Sequence, residues 1–146
     1  MPLELIIFVG LQAAGKSTYY YTHFAATHVH VSKDLMKNAR NRDATQQRMI
    51  DEALAAGRSV VVDNTNPTAD VRAPLVVQGR RHGARIVAYY FEGVVKDAVT
   101  RNRKREGIAR VPDAAIFVTA KKLDPPTIAE GFDDVRVIAP LPGEGA

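Results

Sequence analysis

The sequence predicts an α/β fold in which helices cover both faces of a parallel sheet. Short β-branched apolar runs alternate along the chain with longer segments of helical period, which is the pattern of parallel α/β proteins. The length of 146 residues suits one compact domain, and no internal repeat or linker interrupts it. Apolar residues make up 46% and charged residues 25% of the chain, an ordinary globular composition.

The first half of the chain predicts three strands and two helices. Residues 5–9 are a continuous apolar run before Gly10, which is typical of a strand buried on both faces. A helix is expected from residue 15 or 16 to about 27. Residues 28–32 then alternate with a period of two, which indicates an edge strand. A helix over 46–56 ends at Gly57, and the valine-rich run 59–63 predicts the third strand.

The second half continues the alternation. A helix is expected over 68–81, ended by Gly83, with Pro74 placed to bend its first turns. Residues 86–91 predict a strand and residues 94–105 a helix. Pro112 suits the first turn of a helix over 112–123, and residues 135–138 predict the last strand.

Two histidines of the strand over 28–32 need a separate interpretation. His28 and His30 share one face of this strand, a spacing at which two ligands can contact a metal. No third ligand is in view in the sequence. We therefore expect exposed edge histidines.

The residue types and the chain ends set further expectations. Residues 1–139 are predicted to form one domain, and residues 140–146 a flexible tail. The sequence contains no cysteine, which excludes disulfides, thiolate zinc sites and thiol nucleophiles. No apolar run approaches the roughly 18 residues needed to cross a bilayer. We therefore expect a cytoplasmic protein without a membrane partner.

The positive charge of the chain is clustered. The formal net charge is +4, and an excess of this size by itself more often serves solubility. Its cations, however, are concentrated at residues 80–85 and at residues 101–110. Clusters of this kind suit anionic substrates or phosphate groups near one face of the protein.

A phosphate-binding motif follows the first strand. Residues 10–17 fit G-x-x-x-x-G-K-[ST] and lie between the predicted strand and helix, as the motif requires. Gly10 and Gly15 permit backbone torsions that direct N–H groups at phosphate oxygens. Lys16 would reach the β- and γ-phosphates, and Ser17 would supply a hydroxyl to Mg²⁺. The expected nucleotide contacts are Gly10, Gln12, Ala13, Ala14, Gly15, Lys16, Ser17 and Thr18.

This motif and the strand pattern define the expected fold. They predict a P-loop NTPase built as a three-layer sandwich. The strand order 2-3-1-4-5 agrees with an edge position for residues 28–32. The Asp-x-x-Gly and Asn-Lys-x-Asp motifs of GTPase switches are missing, which disfavours that class.

Two aspartates follow strand ends and are candidate site residues. Asp63 ends the third strand, where a second acidic group near magnesium stands in such folds; an Asx turn within 63–67 is the alternative explanation. Asp34 follows the strand over 28–32 and is a candidate base for the proton of an acceptor hydroxyl. Helix capping by Ser32 or Asp34 is the alternative there.

The cations that phosphoryl transfer requires are expected after the fourth strand. Arg101 and Arg105 are four residues apart and so share a face of the predicted helix. Gly107 permits a mobile lid whose closure would bring these arginines onto the phosphates. A solvated basic helix end is the alternative.

These pieces together resemble the kinase domain of polynucleotide 5′-hydroxyl kinases, of the phage and the bifunctional animal kinase–phosphatase kinds. The matching segments are 10–18, 31–34, 63–67, 101–105, 111–112 and 126–132. The resemblance implies an ATP- and Mg²⁺-dependent kinase, adenylate-kinase-like with a small lid, acting on a DNA or RNA 5′-hydroxyl. Asp34 then corresponds to the general base, Asp63 to a substrate-side aspartate, and Arg101 and Arg105 to the lid arginines.

The sequence also departs from that family. Lys37 stands where phage-type enzymes carry an arginine that contacts the acceptor phosphate, and a lysine loses the bidentate fork. No phosphatase or ligase segment accompanies the kinase in this sequence, so we expect a kinase domain that stands alone. A kinase of a nucleoside or other small metabolite, and an ATP-binding or hydrolysing regulatory module, remain alternatives.

Overall fold

The computed structural model describes residues 2–36, 38–107 and 110–140. Within these ranges the strands are β1 (Glu4–Gly10), β2 (His28–Val31), β3 (Ser59–Val62), β4 (Arg85–Phe91) and β5 (Asp134–Ile138). The helices are α1 (Lys16–His23), α2 (Arg42–Ala55), α3 (Ala69–Arg81), α4 (Val95–Arg103) and α5 (Asp113–Lys122). Short 3₁₀ turns cover Lys33–Leu35 and Ile128–Glu130.

The strands form one parallel sheet in the order β2-β3-β1-β4-β5. This confirms the predicted class, strand order and edge position of β2. Because β1 is central, alternate residues of this strand pack against opposite layers. Leu5, Ile7 and Val9 join the core on the α2 and α3 face. Ile6 and Phe8 join the core that contains residues of α1, α4 and α5.

Several predicted element ends were wrong. Helix α1 ends at His23, four residues early, and α2 begins at Arg42 rather than 46. The earlier start of α2 has a local cause, since the Asn41 side chain accepts a 3.1 Å hydrogen bond from the Ala44 amide. Pro112 precedes α5 instead of lying in its first turn.

Some predictions fall on residues that the structure does not describe. Lys37, the predicted acceptor contact, lies outside the described residues. The predicted lid includes positions 108 and 109, and the predicted tail includes positions 141–146, which are also outside them. No helix in the described ranges is long and apolar enough to span a bilayer.

The expectation of exposed histidines on β2 was wrong. His28 is buried, and its Nε2 lies 2.6 Å from Oε1 of Glu4 on β1, while its Nδ1 lies 2.7 Å from the Thr27 hydroxyl. The His30 side chain is only 12% exposed. Both rings are covered because aromatic side chains pack on them: Phe24 lies against His28, and Tyr20 against His30.

One charged side chain is completely buried in the described part of the α3 layer. Arg72 pairs with Glu130 through two hydrogen bonds of 2.8 and 3.0 Å, and it also donates 2.9 Å bonds to the carbonyl groups of Asn66 and Asp124. Burial alone raises the pKa of Glu130, but hydrogen bonds from Arg72 and from the Thr127 backbone outweigh it and lower that pKa. Arg72 therefore joins α3 to the loops after β3 and before β5.

Arg72→Ala should destabilise the protein by about 3–5 kcal/mol, because it leaves a half-buried carboxylate and two carbonyl groups without their donor. The matched control is Arg80→Ala, on the same helix. The partly exposed pair of Arg80 with Asp133 should contribute only about 0–1 kcal/mol. Urea unfolding followed by circular dichroism measures both. Equal losses for the two variants would contradict the role assigned to Arg72.

Candidate active site

The phosphate loop connects β1 to α1 through two left-handed backbone positions. Ala13 has a φ of 61° and Gly15 a φ of 93°. Gly10 is needed for a different reason than expected: a Cβ there would lie 3.0 Å from the Phe91 Cβ and 3.1 Å from its carbonyl oxygen. The glycine thus permits the close approach of β4. Ala13 is the strained position that the motif did not reveal, because the tripeptide around it contains no glycine.

Lys16 is buried at the start of α1. Its ammonium donates hydrogen bonds to the carbonyl oxygens of Gly10, at 3.1 Å, and Leu11, at 2.5 Å. Burial lowers its pKa to about 8, although the nearby carboxylates of Asp63 and Asp34 oppose that shift; Arg105 adds to it. A buried cation with a lowered pKa gains most from an anionic partner such as a phosphate group.

Asp63 connects the phosphate loop to β2. Its Oδ2 accepts a 2.8 Å hydrogen bond from the Ser17 hydroxyl and lies 2.8 Å from His30 Nε2. The ring of Tyr20 stacks on His30, with centroids 3.9 Å apart and planes 14° apart. His30 was missed as a site residue. The signal available was its place on β2 beside β3, the strand that carries Asp63.

Asp34 lies in the 3₁₀ turn directly after β2. The Ser32 side chain accepts a hydrogen bond from the Asp34 amide and caps this turn, so the Asp34 carboxylate is not needed as a cap. That carboxylate is exposed and makes no hydrogen bond with the described residues. A general base requires an accessible carboxylate of this kind.

These side chains line one cavity of about 270 Å³, which we call the loop cavity. It lies at the carboxyl ends of β1, β2 and β3, where ligands bind in open α/β sheets. Its lining residues are Gln12, Ala13, Lys16, Ser17, Lys33, Asp34, Asp63, Asn64, Thr65, Arg105 and Val111. The structure therefore brings the predicted base, the phosphate-loop lysine and the predicted magnesium ligand into one space.

The remaining predicted nucleotide contacts do not line this cavity. In the loop or on α1 these are Gly10, Ala14, Gly15 and Thr18; Arg101, on α4, does not line the cavity either. Gln12 does line it, and donates a 2.9 Å hydrogen bond to the Thr119 hydroxyl of α5. Its Oε1 is buried without a partner among the described residues, which leaves an acceptor available.

The two lid arginines are arranged differently from the prediction. Helix α4 ends at Arg103, so Arg105 lies beyond the helix and does not share a helical face with Arg101. Arg105 lines the loop cavity, and Arg101 is half-buried on α4. The cause is the buried Asn102, whose side chain bonds to the Val111 backbone at 2.5 and 2.9 Å and so joins the two ends of the segment that contains Arg105.

The lining of the loop cavity suits phosphate groups and a magnesium ion. Phosphate oxygens suit the left-handed loop between Gly10 and Lys16 and the ammonium of Lys16. Mg²⁺ prefers hard oxygen ligands, and the Ser17 hydroxyl together with the Asp63 carboxylate supplies such a set. Ser17 would hold the ion and Asp63 would orient Ser17 or a water on the ion.

The fold and the site together define a kinase-like P-loop domain. A family model described as an AAA domain matches residues 5–126, and the chain belongs to that family. This membership supports ATP binding, which in such kinases typically involves Mg²⁺.

Several individual relatives are named as kinases, and the substrates in their names differ. The bifunctional polynucleotide phosphatase/kinase of Schizosaccharomyces pombe is 26% identical over 142 residues, which cover 92% of this chain and 33% of that protein. The chain thus spans about a third of that relative. A fungal RNA kinase structure has a TM-score of 0.71 at 15% identity, covering 100% of this chain and 40% of its own. A sugar kinase from Janibacter sp. HTCC2649 has a TM-score of 0.69 at 16% identity, covering 94% and 86%.

Lys16→Met should abolish ATP binding and yet raise the free energy of unfolding of the nucleotide-free protein at pH 7, by about 1–3 kcal/mol. The pKa of Lys16 is lowered by folding, from 10.5 to about 8. The cost of burying its charge is therefore complete below pH 8 and disappears as pH rises from 8 to 10.5. The stability difference between variant and wild type should shrink over that range.

Calorimetric ATP titrations and urea unfolding at pH 7 and pH 10 measure the two effects. Lys121→Met, which removes an exposed lysine of α5, is the control and should change neither quantity. A Lys16→Met protein that is less stable than wild type at pH 7 would contradict the assigned burial cost.

Proposed function

We propose that the chain is an ATP-dependent kinase that transfers the γ-phosphate to the 5′-hydroxyl of a DNA or RNA end. The loop cavity is the observation that carries this proposal. It holds an exposed carboxylate, that of Asp34, together with the phosphate-binding Lys16 and the Ser17–Asp63 pair. Phosphoryl transfer to an alcohol requires a base for the hydroxyl proton and groups that bind the donor phosphates, both in one space.

In the proposed reaction the acceptor oxygen attacks the γ-phosphorus in line with the departing ADP. The bond from that phosphorus to the β–γ bridging oxygen breaks, and Asp34 accepts the hydroxyl proton. Lys16 and Arg105 stabilise the negative charge on the transferred group, and Arg101 joins them if the lid closes. When bound, Mg²⁺ neutralises charge on the β- and γ-phosphates.

The acceptor class is supported by sequence similarity and by the distribution of charge. The Schizosaccharomyces pombe relative is named as a polynucleotide phosphatase/kinase, and its similarity extends over 92% of this chain. Basic residues are concentrated at 101–110, the segment that contributes Arg105 to the loop cavity. Such a concentration favours a polyanionic acceptor.

A nucleoside or another small metabolite is the second candidate acceptor. The observation that favours it is the pairing of Lys33, the cation adjacent to Asp34. Its ammonium is 2.5 Å from Asp43 Oδ1, so part of its charge is already compensated. An acceptor without phosphate groups would not require that charge.

A panel of acceptors tests the function. Wild-type protein with labelled ATP and Mg²⁺ should label the 5′-ends of 5′-hydroxyl DNA or RNA oligonucleotides, less efficiently as salt rises because phosphate contacts release counterions. Lys16→Ala is the blank. Label only on nucleosides or sugars would identify the second candidate, and ATP hydrolysis without any labelled acceptor would indicate a regulatory ATPase.

Asp34→Asn should lower phosphoryl transfer by about 10²–10⁴-fold, because the amide cannot accept the hydroxyl proton. ATP affinity should stay within about twofold of wild type, since the phosphate loop is unchanged. The control Glu52→Gln removes an exposed carboxylate of α2 and should leave both quantities unchanged. Single-turnover rates and calorimetric ATP titrations measure them. Full transfer activity in Asp34→Asn would remove the base assignment.

A further inference from the structure

A second cavity lies between α2 and α3, and we call it the helix cavity. Its volume is about 420 Å³, within the range of small-molecule pockets. Lys33 lines both this cavity and the loop cavity, and Asp34 is the next residue along the chain. A molecule bound in the helix cavity therefore lies beside Lys33, the residue that precedes the predicted base.

The walls of the helix cavity combine apolar surface with amide groups. Val71, Pro74 and Leu75 of α3 supply an apolar wall. Gln46 of α2 and Gln78 of α3 also line the cavity, and they are only 8% and 3% exposed.

Each glutamine has one half of its amide fixed within the protein. Gln46 Oε1 accepts a 2.7 Å hydrogen bond from Asn64, and Gln78 Nε2 donates a 2.7 Å bond to the Gln47 carbonyl oxygen. These bonds also set the orientation of each amide. The Gln46 amide N–H₂ and the Gln78 carbonyl oxygen make no hydrogen bond with other described residues. The cavity thus offers one donor and one acceptor beside an apolar wall.

The charges of the described lining residues disfavour a phosphate or a sugar acid in the helix cavity. Among its described lining residues the only cation is Lys33, which is paired with Asp43. Asp70 adds a further carboxylate to the lining. An anion would have no uncompensated cation to bind, whereas a neutral heteroaromatic ring would find both an apolar face and amide partners.

We propose that the helix cavity binds the nucleobase of the acceptor's terminal nucleoside and so directs its 5′-hydroxyl towards Asp34. This inference rests on the proposed function and names the part of the acceptor that the protein recognises. A nucleobase matches the cavity because its ring faces are apolar and its edge carries both donors and acceptors. The acceptor phosphates remain outside the helix cavity.

Val71→Trp tests the proposal, because residue 71 is 46% exposed and lines the cavity, so a larger side chain obstructs the space without removing core packing. Val77→Trp is the matched control: residue 77 is 57% exposed on the same helix and does not line the helix cavity. Val71→Trp should raise the acceptor KM by about tenfold or more, as expected for loss of a bound base. The KM for ATP should stay at the wild-type value in Val71→Trp. In the control Val77→Trp, the KM values for the acceptor and for ATP should both stay at wild-type values.

A second measurement uses wild-type protein and changes the acceptor. An oligonucleotide whose 5′-terminal residue lacks its base should show an acceptor KM about tenfold higher than the intact oligonucleotide. Equal KM values for the two acceptors, together with a normal KM in Val71→Trp, would overturn the helix cavity as a base site while leaving the kinase function standing.

A binding measurement separates this inference from the proposed function. Adenosine, guanosine, cytidine and uridine are titrated into wild type, Val71→Trp and Val77→Trp, each with Mg²⁺ and a non-hydrolysable ATP analogue. Nucleoside binding that Val71→Trp weakens and Val77→Trp retains supports the cavity, even if the oligonucleotide panel shows no labelled end. Oligonucleotide labelling without such binding, and with equal KM values in both variants, overturns the cavity alone.

Discussion

The candidate site depends on the carboxylate of Asp63, because one of its oxygens is shared by two separate elements. Ser17 from the phosphate loop donates to Oδ2, and His30 from β2 lies at the same distance of 2.8 Å from it. Asp63 is only 4% exposed, so its carboxylate relies on these protein partners for its hydrogen bonds. The carboxylate therefore fixes the phosphate loop relative to the edge strand, and β2 in turn leads directly into Asp34. Stacking of Tyr20 on His30 and the bond from the Tyr20 hydroxyl to the His28 carbonyl oxygen make this edge rigid.

Two non-glycine residues in the loops around this carboxylate have strained backbone positions, and one of them, Asn66, is supported by contacts from outside its own loop. Ala13 and Asn66 both have left-handed φ values, 61° and 42°, which non-glycine residues adopt at a cost. The Asn66 side chain donates a 2.7 Å bond to the Phe8 carbonyl oxygen, and Arg72 donates to the Asn66 carbonyl oxygen. The buried Arg72–Glu130 pair thus transmits support from the loop before β5 to the loop after β3. Arg72 and Glu130 are 58 residues apart in sequence. The geometry of the site therefore depends on segments that are distant along the chain.

The fold and the grouping of the predicted site residues in one cavity could be predicted because they follow from local patterns. The alternation of apolar strands and helices defined the sheet, and the rule that ligands gather at strand carboxyl ends brought Lys16, Asp34 and Asp63 together. The roles of His30 and Arg72 could not be predicted in the same way, since each is defined by a partner on another element. Arg72 did carry a signal: it precedes the buried Leu75 and Val76 by three and four residues and so lies on the inner face of α3. Helix ends were also missed where a single side chain, such as Asn41, sets them.

The two cavities differ in the charge of their described lining residues, and Lys33 lines both of them. The loop cavity carries Lys16 and Arg105 and suits phosphate groups, while the helix cavity has its only described cation paired with Asp43. Phosphate binding is strong but does not distinguish between acceptors, because every nucleotide presents the same groups. In the proposed reaction, discrimination between acceptors would come from the helix cavity, where an unpaired amide penalises a ligand that lacks the matching group. Because Asp34 lies directly after Lys33, an acceptor that fills the helix cavity would, in the same proposal, present its hydroxyl to Asp34. Acceptor binding would thus be linked to the positioning of the acceptor hydroxyl through the 3₁₀ turn that contains both residues.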